Sequence, residues 1–241
     1  MEMRCGLPSP VRRSITLAMT GTKTGTITDM LTLGPDDGPL LILAHGAGAA
    51  MDSPFMTLMA NLLAERGLAT ARFEFGYMAA RRSGGKRRPP PTAETLAPEY
   101  EAVLAQAAAR WPGRGLLIGG KSMGGRVASY IAAEAHANGR IAGLVCIGYP
   151  FHPPNQGSQH RTAHLLTLAC PALIVQGERD PFGARVEVEG YGLPPAIGLQ
   201  WVGDGDHDLG PRGGSGFTRK GNLAAAADAI AGFARRVSPL A

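Results

Sequence analysis

From Pro39 to the C-terminus, short apolar runs alternate with stretches of helical periodicity, and this order constrains the fold more than any other feature of the chain. Leu40-Leu-Ile-Leu-Ala44 is continuously apolar and of strand length, as expected where a strand is covered on both faces. Comparable runs recur over 68–75, 115–119, 141–149, 172–176 and 197–202. Helices are expected between or after them, over about 53–66, through about 136 after Ser122, near 160–168 and over about 218–236. Tyr100, Val103, Leu104, Ala107, Ala108 and Trp111 share one face of a further helix, with Pro98 in its first turn. Repeated βα units build a mostly parallel sheet with helices on both faces, so the expected class is α/β with about seven or eight strands. Residues 1–38 lead in with one or two antiparallel strands over 14–34, and 76–91 reads as a basic loop rich in Gly and Pro.

A chain of 241 residues supports one substantial core, so 1–241 is expected to be a single domain. No apolar run approaches the roughly 20 residues that a membrane helix needs, and the N-terminus lacks the apolar stretch of a secretory signal. The expected location is the cytoplasm. Cys5, Cys146 and Cys170 form neither a disulfide framework nor a zinc motif and read as reduced thiols, with Cys146 a small buried hydrophobe. Much of the net charge of +5 lies in Arg81, Arg82, Lys86, Arg87 and Arg88. One loop without interleaved aromatic residues is a small footprint for nucleic acid, which is not an expected partner.

The chemistry is expected around Gly119-Gly-Lys-Ser-Met-Gly-Gly125. A strand, a sharp turn at Ser122 flanked by small residues and a following helix make a nucleophile elbow. The letters from Gly115 to Ser122 also spell a phosphate-binding loop, but there the residues between the glycines form the loop, whereas here Leu116-Leu-Ile118 are the strand itself. A serine hydroxyl needs a base to take its proton and an acid to orient that base. In this architecture they follow in the order Ser, Asp or Glu, His, each after a later strand. Asp180 follows the run ending at Gln176, with Glu178 as the substitute acid, and His207 follows the last strand. The amides of Met123 and Ala47 are the expected oxyanion donors.

Other residues read more plainly. Asp204, Asp206 and Asp208 flank His207 but lack the spacing of a calcium loop. His160 and His164, four apart on an expected helix, lack a third metal ligand. His45 is read as a structural hydrogen-bonding residue, and Lys121 as a packing or surface contact. Two readings of the basic loop stand: a solvated surface, or recognition of a substrate carboxylate or phosphate by the guanidinium of Arg81 or a neighbour.

Taken together, HGAGAAMDSPFM, RFEFGYM, GGKSMGGR, GYPFHPP and QGERDPFG resemble the dienelactone-hydrolase-like branch of α/β-hydrolases that includes the NSL-complex subunit and testis-expressed relatives. The resemblance spans nearly the whole chain and implies the α/β-hydrolase fold and the triad Ser122, Asp180 and His207. The expected activity is hydrolysis of a small-molecule carboxylic ester or thioester through an acyl-enzyme, with no cofactor or metal. The alternative is a non-catalytic protein that uses this fold to bind a protein partner.

Overall fold

The computed structural model describes residues 29–85 and 89–238. Seven strands are present among them: β1 (Leu31–Leu33), β2 (Leu40–Ala44), β3 (Ala69–Phe73), β4 (Leu116–Lys121), β5 (Gly143–Ile147), β6 (Ala172–Gly177) and β7 (Ile197–Val202). They form one sheet in the order β1-β3-β2-β4-β5-β6-β7, antiparallel only at β1 and parallel elsewhere. The helices are α1 (Pro54–Ala64), α2 (Gly76–Arg82), α3 (Ala93–Arg110), α4 (Met123–Ala137), α5 (Arg185–Val188) and α6 (Arg219–Val237).

The continuous apolar runs are explained by a core on each side of the sheet. Along β2, Leu40, Ile42 and Ala44 enter the core under α3 and α4, while Leu41 and Leu43 enter the core under α1 and α6. Both sets are essentially inaccessible, and full burial of such a side chain contributes about 1.5–3 kcal/mol. The same alternation continues along β4 and β5, which fixes their register against β2.

Order along the sheet reverses between β2 and β4, since the chain runs outward from β2 to β3 and returns to place β4 on the other side of β2. A reversal of this kind opens a crevice beyond the carboxyl ends of the two strands. Ala44 pairs with Gly120 there, so the turn after β2 and the turn after β4 emerge side by side.

Several expectations are corrected. The segment 76–91 does not begin as a loop: Gly76–Arg82 is helix α2, held by ion pairs that only the folded chain assembles. Helix α3 starts at Ala93 after an N-cap at Thr92, which places Pro98 inside the helix rather than in its first turn. Burial of Leu96 and Tyr100 on either side of it offsets the interrupted hydrogen bond. No helix forms over 160–168, where the chain makes only turns. Of the one or two antiparallel strands expected over 14–34, β1 is present, and the part of that segment before residue 29 lies outside the described residues. As the short connection between β5 and β6 leads one to expect, no cap domain is inserted there. Among the described residues, no helix is long and apolar enough to cross a membrane.

Candidate active site

Ser122 joins β4 to α4 with φ 52° and ψ −118°, a conformation that costs a non-glycine residue about 1–3 kcal/mol. Its amide donates to the Ile147 carbonyl at 2.8 Å, and its carbonyl accepts from the Arg126 amide at 3.1 Å. The Ser122 hydroxyl makes no capping bond to α4. The turn closes tightly because its neighbours lack side chains. A Cβ on Gly124 would lie 2.6 Å from the His45 carbonyl oxygen and 2.7 Å from that of Ala44, and one on Gly120 would lie 2.5 Å from the Gly124 backbone. Gly120 and Lys121 belong to β4 itself, which separates this arrangement from a phosphate loop.

Asp180 and His207 reach the same spot from the ends of β6 and β7. His207 Nε2 lies 2.9 Å from Ser122 Oγ, and its Nδ1 lies 2.8 Å from Asp180 Oδ2. A carboxylate is an acceptor, so Nδ1–H donates to Asp180 and Nε2 is left to accept the serine proton. Asp180 is fully buried. Its Oδ1 accepts from the Phe182 amide at 2.9 Å and its Oδ2 also accepts from the Gln176 side-chain amide at 3.0 Å. The Phe182 ring packs 4.4 Å from the imidazole of His207. Glu178, the substitute acid, is turned elsewhere: it accepts from the Asp204 amide and pairs with Arg185.

Gln176 is the residue that sequence reasoning passed over. It is fully buried at the end of β6 and links three segments. Its Oε1 accepts from the Tyr149 amide at 2.8 Å, while its Nε2 faces the Tyr149 carbonyl at 3.2 Å, the Gly183 carbonyl at 3.2 Å and Asp180. The available signal was a lone amide closing an otherwise apolar run.

The turn that carries His207 is held from several sides. Asp204 accepts from the Arg212 amide and pairs with Arg179 and Arg212. Asp206 accepts from the amides of Asp208 and Gly210, and Asn222 of α6 donates to the carbonyls of Gly203 and Leu209. The acidic run around His207 is therefore occupied in building the turn, and among the described residues no group of three or more His, Cys, Asp or Glu converges as metal ligands.

On the opposite side, the turn after β2 approaches the elbow closely, since a Cβ on Gly46 would lie 3.7 Å from Ser122 Cβ. Met123 opens α4, so its N–H has no acceptor within the helix and lies at the positive end of the helix dipole. Ala47 is tied to α2 by the Tyr77 hydroxyl, which donates to its carbonyl at 3.0 Å. His45 is buried and structural: Nδ1–H donates to the Gly46 carbonyl at 2.7 Å, and Nε2 accepts from the Phe75 amide at 3.2 Å. Burial holds its pKa below the usual histidine range, which keeps this bonding pattern intact.

Within the basic segment, Arg82 pairs with the buried Glu74 and with Asp52, and Arg81 lies 5.2 Å over the Tyr77 ring. Arg82 therefore fastens α2 beside the Ala47 turn. Lys121, expected to be a packing or surface contact, is buried and pairs with Asp208 at 3.2 Å. His160 and His164 do not face one another on a helix. His164 lies 2.8 Å from Ser129 Oγ and stacks on Tyr130 at 4.1 Å, whereas His160 meets the edge of Tyr191.

Solved structures share this architecture. A dienelactone hydrolase from Anabaena variabilis aligns with a TM-score of 0.63 at 20% identity, covering 86% of this chain and 90% of that one. An alpha-beta serine hydrolase homologue from Coxiella burnetii gives 0.59 at 20% identity over 86% and 89%. A Xanthomonas campestris protein described as a serine hydrolase without lid gives 0.60 at 19% identity over 90% and 98%. At such identities the likeness is one of fold. Residues 37–235 match the family model of the alpha/beta hydrolase domain, and the chain belongs to that family.

Proposed function

We propose that the protein is a serine hydrolase that cleaves a small-molecule carboxylic ester or thioester through a covalent acyl-enzyme. The observation that carries this reading is the unbroken hydrogen-bonded chain from Asp180 through His207 to Ser122 Oγ, ending on a strained residue. Ser122 Oγ attacks the carbonyl carbon as His207 Nε2 takes the hydroxyl proton. The tetrahedral oxyanion lies against the amides of Met123 and Ala47. As the carbon–oxygen or carbon–sulfur bond breaks, the leaving group takes that proton from His207. Water then attacks the acyl-enzyme, giving its proton to His207, and release of the acid returns it to Ser122. Asp180 holds the imidazole in the tautomer this sequence needs and stabilises the imidazolium. The steps balance with water as the only co-reactant.

Family membership supports hydrolysis, and the formed hydrogen-bond chain extends that support to a serine nucleophile. A non-catalytic binding protein on this fold, as in the resemblance to an NSL-complex subunit, has no need of a strained serine within reach of an oriented imidazole. Hydrolysis of p-nitrophenyl acetate and of an acyl thioester tests the reading. Turnover lost in Ser122→Ala is expected; turnover retained by that variant would exclude Ser122 as the nucleophile.

A further inference from the structure

Lys121 and Asp208 are the immediate chain neighbours of Ser122 and His207, the one preceding the nucleophile and the other following the base. Lys121 ends β4, where the alternation of the strand turns its side chain toward the face covered by α1 and α6. It is only 7% exposed. Its stem packs beside Gly46 and its ammonium lies 5.5 Å from the Phe55 ring. The ammonium reaches out of this apolar setting to Asp208 Oδ1 at 3.2 Å. A Cβ placed on Gly148 would lie 3.2 Å from Lys121 Nζ and 3.3 Å from His207 Cε1. The ammonium and the imidazole thus face each other across a glycine.

A buried lysine has to be explained, because desolvation of an ammonium costs several kcal/mol unless it is paired. A local packing role would be served by methionine or leucine in a strand that is otherwise apolar. We propose that Lys121 is a positioning residue for the general base, resting on the hydrolase reading above. With Asp208 it clamps the His207 turn to the elbow and so keeps the imidazole within reach of Ser122 Oγ.

The acidic groups around Lys121 come from the two turns that carry the other members of the hydrogen-bonded chain: Asp180 after β6, and Asp206 and Asp208 beside His207. Burial lowers the pKa of Lys121, and Asp208 opposes that effect most strongly, in keeping with its place as the nearest partner of the ammonium.

The rate at which a fluorophosphonate phosphonylates Ser122 measures this without knowledge of the substrate. Ser122 Oγ forms a bond to phosphorus, fluoride leaves and the serine proton passes to His207, so the rate follows the fraction of neutral imidazole. Lys121→Met, which fills the apolar site but removes the clamp, is expected to label at least about tenfold more slowly than wild type. Lys121→Arg, which still reaches Asp208, recovers most of the rate. Asp208→Asn changes a side chain that is 59% exposed and breaks the same clamp from its other end, so it slows labelling as well. Wild-type labelling rates in Lys121→Met and Asp208→Asn, or a Lys121→Arg as slow as Lys121→Met, would overturn the inference. If Lys121→Met does not fold, a wild-type rate in Asp208→Asn overturns it alone. Wild type that fails to label at Ser122 would instead overturn the hydrolase reading on which the inference rests.

Discussion

Replacement of Gln176 by methionine keeps the length of the side chain while removing both ends of its hydrogen bonding. In the native protein that amide serves the Tyr149 N–H, the Tyr149 and Gly183 carbonyls and Asp180 Oδ2, all within 3.2 Å. The side chain is fully buried, so water does not replace what is lost. An orphaned buried donor or acceptor costs about 1–3 kcal/mol, with carbonyls tolerating the loss better than an N–H. The Tyr149 N–H is orphaned, Asp180 keeps His207 and the Phe182 amide, and the two carbonyls lose a shared donor. A destabilisation of about 3–4 kcal/mol follows, and at roughly 2–4 °C per kcal/mol for a chain of this size the melting temperature falls by about 6–16 °C. Urea unfolding followed by circular dichroism measures the free energy directly. The same variant labels more slowly with a fluorophosphonate even where fully folded, because Asp180 has lost a donor that fixes its carboxylate. A loss of stability under about 1 kcal/mol would refute the view that Gln176 ties the Asp180 turn to the sheet.

Three further outcomes are expected. Gly148 has φ +62°, and a Cβ there would lie 2.9 Å from the His207 carbonyl oxygen, so Gly148→Ala loses about 1–3 kcal/mol by strain and most of its hydrolysis rate; wild-type rates in the variant would contradict the close packing of this turn. His164 has its pKa lowered from 6.5 to about 4, first by burial and then by Arg126, so the unfolded chain takes up a proton below pH 6.5 that the folded chain resists. Stability is then level above pH 6.5 and, with solvent screening of this partly exposed ring, falls by about 1–2 kcal/mol as the pH drops toward 4, a slope that His164→Gln flattens in denaturant titrations at stepped pH. Recognition of an anionic substrate by Arg81 is read from steady-state assays of Arg81→Ala: it predicts a raised KM for an ester bearing a carboxylate and none for a neutral ester, and equal effects on both count against it.

How much of the molecule was legible in the sequence depends on whether the signal was local. The runs that became β2, β4 and β6 were readable because strands covered on both faces must be apolar throughout. The positions of Ser122, Asp180 and His207 at strand ends follow from the same runs, with glycines marking the elbow. Helix α2 was hidden because its C-terminal end is fastened by Arg82 to Glu74 and Asp52, partners that only the folded chain brings together. Pro98 misled the placement of α3 because proline favours a first turn locally, whereas Leu96 and Tyr100 secure the helix through tertiary burial. The spacing of His160 and His164 suggested a helix, yet His164 is fixed instead by Ser129 and Tyr130, about 35 residues away. Gln176 and the Lys121–Asp208 pair left little trace for a related reason. One polar residue at the end of an apolar run gives no sign of which distant backbone or carboxylate it will meet.

The central claim is that Ser122 is a nucleophile activated by His207. Labelling the intact protein with a fluorophosphonate, then locating the adduct by peptide mass spectrometry, tests it most directly. One adduct on Ser122 is expected, absent in Ser122→Ala and formed far more slowly in His207→Ala. Wild type that resists the probe, or Ser122→Ala that takes it up at the wild-type rate, would contradict the account.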